Sequence, residues 1–451
     1  MSADYPHAGV LGAAFQQRAA QRLGGTDELL ERTYPGDPGT RQPVHTVYLP
    51  ADTFTADTAR QWGIRAAESV AGIGVRALGE RVAPEGVAPE LIDQMVRAVE
   101  HKLTTEPIED LRLDFEDGFG DRGDAEEDEW AVRAARTVAE AVRAGTAPPF
   151  IGIRFKCFEA PTRDRGLRTL DLFLTTLVRE GGLQEAGMSE DGLPHGLILT
   201  LPKVSALEQV EVMVEACEQL ENALGLPAGR LRFEVQMETA PMILGPDGTC
   251  LIPSMLHRTS GRVEALHYGT YDYSDSLQIA AAYQSMEHPA ADHAKAVMQV
   301  AVAGTGVRLS DGSTNILPAG DEQQKLGAWR LHARLVRRSL ERGYYQGWDL
   351  HPAQLPTRFF ATYFFYREGF AAAAHRLRVY RSRSVPGIEA ADVADEPATA
   401  RALARFVHRG VLCGAISEQE LQEGADIGTQ ELFALAHPKA AVPAASTTGG
   451  N

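Results

Sequence analysis

Eight short runs rich in aliphatic and β-branched residues alternate with amphipathic stretches, and this alternation constrains the fold more than any other feature of the sequence. The runs are HTVYLP (45–50), LRLDFED (111–117), FIGIRFK (150–156), GLILTLPK (196–203), LRFEVQME (231–238), VEALHYG (263–269), VRLSD (307–311) and GWDLHP (347–352). Between them lie segments such as TADTARQWGIRAAESV, EEDEWAVRAARTVAEAVRA, ALEQVEVMVEACEQLENAL, PAADHAKAVMQVAVAG and DEQQKLGAWRLHARLVRRSLERG. Their apolar residues recur at helical spacing, and several open on Asp, Ser or Pro and close near Gly, as helix ends prefer. Strand–helix alternation implies parallel strands joined by right-handed crossovers. Eight such units suit an α/β fold of the closed (β/α)8 TIM-barrel type rather than an open doubly wound sheet.

Two segments stand outside the repeat. Residues 1–40 read as an N-terminal helical arm ending in TYPGDPGTRQP, and residues 376–451 as a C-terminal helical extension with a polar tail, PAASTTGGN, expected to be disordered. The barrel then occupies 41–375. With 44% hydrophobic residues in 451, the chain can bury a large core.

A formal net charge of -17 argues against a nucleic-acid or anionic-membrane partner, which would demand a basic face. No apolar run approaches the roughly 20 residues that span a bilayer, and the opening MSADYPHAGVLGAAFQQRAAQ lacks the pattern of a secretory leader. A cytoplasmic protein is expected. Cys157, Cys217, Cys250 and Cys413 are widely spaced without a CxxC, which points to free thiols rather than a disulfide framework or a zinc cluster.

In a TIM barrel the working face is the carboxyl end of the strands. Asp114, Glu116 and Asp117 fall after the second strand, Arg154 and Lys156 on the third, Lys203 on the fourth, Glu238 on the fifth, Asp272 after the sixth and His351 on the eighth. Acids and bases thus converge from different strands. Such a set suits a divalent cation, Mg²⁺ or Mn²⁺, held by carboxylates such as Glu238 and Asp272, beside cations that receive an anionic substrate. Arg154 offers a planar fork for a substrate carboxylate, and Lys156 a second positive charge. The plainer readings are ion pairs: Glu116 and Asp117 with Arg122, Arg154 with an acidic strand neighbour, Lys156 and Lys203 with carboxylates, and His351 satisfied by backbone. GFGDRG (118–123) matches GxGxxG, but its acidic surroundings would repel a pyrophosphate.

In order, the strings LDFEDGF, IGIRF, LPKV, META, HYGTYDYSDSL and DLHPAQ resemble the strand-end motifs LDLEDAV, RxN, LPKv, IETA, GxxDxxxxLG and IHPxQ of the HpcH/HpaI aldolase and citrate lyase β-subunit family, over about residues 45–355. The resemblance implies a Mg²⁺-dependent TIM barrel of the phosphoenolpyruvate/pyruvate-binding superfamily acting on 2-oxo acids or their acyl-thioester adducts. It places the metal ligands on Glu238 and Asp272 and the substrate-carboxylate arginine on Arg154. The acidic pair that orients metal-bound water falls on Glu116 and Asp117, and Lys203 and His351 belong to the catalytic set. The expected activity is a carbon–carbon lyase or aldolase working through a metal-stabilised enolate, in a homo-oligomer whose C-terminal segments close neighbouring sites.

Three departures bear on substrate. HTVYLPAD lacks the arginine that acyl-CoA-using relatives carry before the first strand, Arg41 being further off, which speaks against CoA. IRFK replaces RxN, and PMILGPDGTCLIPS reads as an inserted hairpin. The alternatives are a Schiff-base aldolase using Lys203, a phosphoenolpyruvate-linked phosphotransfer enzyme, and a non-catalytic citrate-lyase-β-like subunit.

Overall fold

The computed structural model describes residues 10–180, 191–383 and 396–441. All eight expected strands form: β1 (His45–Pro50), β2 (Asp110–Asp114), β3 (Phe150–Arg154), β4 (Leu199–Leu201), β5 (Phe233–Met237), β6 (Val263–Tyr268), β7 (Arg308–Ser310) and β8 (Gly347–Asp349). Every pairing is parallel, in the order β7-β6-β5-β4-β3-β2-β1-β8. A parallel bridge between Ser310 and Gln346 joins the two ends. The sheet closes into a barrel ringed by helices, which confirms the (β/α)8 reading.

The alternation along each strand settles which side chains enter the lumen. On β2, Leu111 and Leu113 are wholly buried in the apolar core outside the barrel, so Asp110, Arg112 and Asp114 point inward. On β5, Phe233, Val235 and Met237 join that core while Glu234 and Gln236 face the lumen. The interior is therefore filled by a polar network. Arg112 donates through Nη2 to Glu234 at 2.9 Å and through Nε to Thr200 Oγ1 at 3.0 Å, and its Nη1 bonds Asp110. A charge taken out of water needs such partners, and removing one would strand the others.

Beyond the barrel, the helix Ala13–Thr33 has no buried residue. The helix Leu355–Arg383 runs straight through position 375, where the sequence divided barrel from extension. Its second half packs Ala373, Ala374 and Leu377 against Ala404, Val407, Leu421, Ile427 and Leu432 of the C-terminal helices, forming a small separate core. The tail PAASTTGGN lies outside the described residues.

PMILGPDGTCLIPS is not a strand hairpin: it forms the helical turn Ala240–Ile243, a tight turn in which Gly245 N donates to Thr249 O at 2.8 Å, and the helix Ile252–Arg258. Pro241 and Pro253 each sit in a first helical turn, where a missing N–H costs nothing. All four cysteines are free. Among the described residues no helix is long and apolar enough to cross a membrane.

Candidate active site

Asp114 and Arg154 are register partners across β2 and β3. Arg154 Nε and Nη2 donate to the two Asp114 oxygens, each at 2.7 Å. The same carboxylate accepts the backbone N–H groups of Glu116 at 3.0 Å and Gly118 at 2.8 Å, folding the 115–120 loop over the strand end. Residue 118 must lack a side chain, since a Cβ there would lie 2.6 Å from Asp114 Oδ2. The Arg154 guanidinium lies 4.7 Å from the Tyr48 ring centroid, and its remaining Nη1 faces Glu116 Oε2 at 3.3 Å and Gln236 Oε1 at 3.4 Å.

Lys203 sits just beyond β4 with φ 50°, a left-handed conformation that costs a residue with a Cβ of order 1 kcal/mol or more. Its own N–H thereby reaches Glu238 Oε2 at 3.2 Å. Its ammonium bonds Glu116 Oε1 at 2.5 Å and Asp117 at 2.8 and 2.9 Å, and lies 3.7 Å from Asp272 Oδ1. Burial works against the ammonium's charge, but Glu116, Asp117 and Asp272 outweigh it and raise its pKa.

Glu238 follows β5 and is 2% exposed. It lies over Gly269, where any Cβ would overlap its Cγ. Burial first, then the charges of Asp272 and Glu116, push its pKa up to about 8 against the pull of Arg154 and Lys203. Asp272, in the first turn of the helix Thr270–Ser276, is raised by burial and by Asp117. Glu116 is likewise raised, by burial and by Asp117. Asp117 goes the other way: burial raises it, yet the Lys203 hydrogen bond and the Arg154 charge bring it below its ordinary value. Three carboxylates, Glu116, Asp117 and Asp272, thus surround one ammonium, with Glu238 on the Lys203 backbone N–H and Arg154 largely committed to Asp114.

A family model described as a domain of unknown function, DUF6986, matches residues 23–440. The chain belongs to the DUF6986 family. No curated protein matches it. Solved structures similar to this DUF6986 chain include Haloferax volcanii malate synthase in a magnesium/glyoxylate complex, at 15% identity over 78% of each chain with a TM-score of 0.47. CitE from Mycobacterium tuberculosis with magnesium, acetoacetate and coenzyme A is 16% identical over 83% of this chain and 99% of that one, with a TM-score of 0.43. An HpcH/HpaI aldolase/citrate lyase family protein from Burkholderia cenocepacia J2315 is 16% identical over 79% and 99%, with a TM-score of 0.36.

Six of the expected site residues of the DUF6986 chain meet in one cluster: Glu116, Asp117, Arg154, Lys203, Glu238 and Asp272. Lys156 and His351 make other contacts. Lys156 Nζ donates to the carbonyls of Phe115 at 2.9 Å and Gly120 at 3.0 Å and to Glu127 Oε2 at 2.5 Å, tying the loop to the following helix. This leaves its three protons engaged, a physical reason to withdraw it from substrate contact. His351 caps the turn Pro352–Gln354, its Nδ1 accepting the Ala353 N–H at 3.1 Å, so its fixed role is local. Arg122 pairs with Asp52 at 2.9 Å rather than with Glu116 or Asp117. Asp114 was among the strand-end acids expected from sequence without a role of its own, whereas Tyr48 and Gln236 were not singled out, although their spacing of two from Pro50 and Glu238 already put them on the lumen face.

The cluster fits a hard divalent cation on its own chemistry. Among the described residues no group of three or more His, Cys, Asp or Glu side chains forms a ready ligand set. Two carboxylates suffice for an ion that keeps water and substrate as its other ligands. Glu238 and Asp272 offer such a pair, each held above its ordinary pKa by burial and by neighbouring carboxylates, and Glu116 Oε2 is buried without a hydrogen-bond partner.

Proposed function

We propose that this chain is a Mg²⁺- or Mn²⁺-dependent carbon–carbon lyase or aldolase acting on a small anionic 2-oxo acid or its aldol or acyl adduct. The observation that carries the reading is the meeting of Glu238, Asp272, Glu116, Asp117 and Arg154 at the carboxyl ends of four different strands, in the motif order of the HpcH/HpaI aldolases. Glu238 and Asp272 would hold the ion, and Glu116 and Asp117 would hold water beside it while fixing Lys203. When bound, the ion supplies Lewis-acid stabilisation of enolate charge. Arg154 keeps its guanidinium fixed on Asp114 and presents Nη1 toward the site, a single donor edge for a substrate carboxylate.

Two observations narrow the alternatives. Imine formation needs a neutral amine, whereas the carboxylates around Lys203 keep it an ammonium. At the first strand, His45 is wholly buried, with Nδ1 2.9 Å from Asp349 Oδ2 and Nε2 accepting the Glu109 N–H, and Arg41 pairs with Glu106 and Glu109. Neither is free to receive CoA phosphate at the carboxyl face. The test is chelation: activity on a 2-oxo acid aldol is expected to vanish in EDTA and return with Mg²⁺ or Mn²⁺. Activity indifferent to EDTA contradicts the reading.

A further inference from the structure

At the opposite, amino-terminal face of the barrel lies a cavity of about 1050 Å³ that plays no part in the site above. Its charged lining is Arg32, Arg232, Arg308 and Lys439 against Asp37 and Glu264. Both carboxylates are already engaged, Asp37 by Arg409 at 2.8 Å and Glu264 by Arg232 at 3.0 Å. Arg308, the first residue of β7, donates through Nη2 to Thr40 Oγ1 and has no carboxylate ion-pair partner among the described residues. A chain with a net charge of -17 has therefore gathered surplus positive charge in one concavity.

Arginines partly withdrawn from water, as the half-buried Arg308 is, are ordinarily met by carboxylates, because the lost hydration of the guanidinium is otherwise uncompensated. Arg308 forms no such ion pair, and burial, with Arg232 adding repulsion, lowers its pKa despite the longer-range attraction of Glu264, Asp37 and Asp110. The donors reach the cavity from separate segments: Arg232 from just before β5, Arg308 from the start of β7, Thr40 from the segment leading to β1. One guanidinium saturates the two oxygens of a carboxylate, whereas a tetrahedral phosphate offers three acceptors and suits donors converging from several directions. A second cavity of about 430 Å³ shares Thr40, Arg232, Glu264 and Arg308, leaving room for an organic portion beside the anionic group.

We propose that this cavity is a binding site for a phosphate-bearing small molecule, held by Arg308, Arg232 and the Thr40 hydroxyl, with Arg32 and Lys439 at its exposed rim. The site is remote from the carboxylate cluster and does not depend on the activity proposed above. The experiment measures thermal unfolding and calorimetric titration of the full chain, free of divalent metal, with sodium phosphate, with sodium citrate, and with sodium chloride at matched ionic strength. Saturable phosphate binding and a rise in unfolding temperature are expected, weakened tenfold or more in Arg308→Gln and several-fold in Thr40→Val, and unchanged in Glu238→Gln. If Arg308→Gln does not fold, Thr40→Val carries the test alone. Phosphate binding equal in wild type and Thr40→Val, a shift that chloride reproduces, or citrate binding as tight as phosphate would each overturn the assignment.

Discussion

Asp114 grips Arg154 through two 2.7 Å hydrogen bonds and, with the same two oxygens, gathers the backbone N–H groups of Glu116 and Gly118. One buried carboxylate therefore sets both the arginine that faces the site and the loop that delivers Glu116 and Asp117 to it. Three acids crowd the end of β2 because they do different work: Asp114 builds the loop, while Glu116 and Asp117 hold Lys203.

Replacing Asp114 by Asn should remove the bidentate partner of Arg154 and leave its buried charge with only the 3.3 Å pairing to Glu116. Breaking a buried pair in this way costs about 3 to 5 kcal/mol. Denaturant unfolding of Asp114→Asn against wild type reads this directly, and a loss under about 1 kcal/mol would show that the pair is not buried in solution.

Glu238 gives the pH dependence its sign. Its folded pKa, about 8, lies above the ordinary carboxyl value, so the stability it contributes in the metal-free protein is full below pH 4.5 and is lost as pH rises through about 8. Metal binding requires the ionised form, so affinity for Mg²⁺ should rise by up to about tenfold per pH unit below about 8 and level off above it. Calorimetry from pH 6 to 9 measures this, and an affinity flat over that range would contradict it.

Lys203 should form no covalent adduct with pyruvate under borohydride, as read by mass spectrometry of the intact chain. Replacing it by Met removes the ammonium from Glu116 and Asp117 and should lower the unfolding temperature of the metal-free protein at pH 8. Added Mg²⁺ should recover part of that loss.

Gly269→Ala places a methyl group where the Glu238 Cγ lies. The barrel should persist by circular dichroism while Mg²⁺ affinity falls tenfold or more. Unchanged affinity would mean that Glu238 reaches the ion from elsewhere.

Much of this was legible from residue order alone. The eight strands follow from apolar residues of period two between amphipathic helices, and β1 begins and ends where HTVYLP does. The carboxyl ends of the other runs stop short because residues such as Glu116, Asp117, Lys203 and Glu238 leave the ladder to enter the site. Lys156 and His351 could not be sorted from sequence, since both lie at strand ends as Lys203 and Glu238 do. Only coordinates show Lys156 turned onto the carbonyls of Phe115 and Gly120, and His351 onto the Ala353 N–H. An acidic strand neighbour for Arg154 was legible in the sequence, but which acid it would be depends on the register between β2 and β3, which selects Asp114.

The central claim is that Glu238 belongs to a cation site that receives a 2-oxo acid. Calorimetric titration of pyruvate, oxaloacetate and glyoxylate into wild type and Glu238→Gln, with Mg²⁺ and with EDTA, tests it most directly. The account predicts binding of at least one acid by wild type with Mg²⁺, lost in EDTA and lost in Glu238→Gln. Oxo-acid binding that survives both would contradict it.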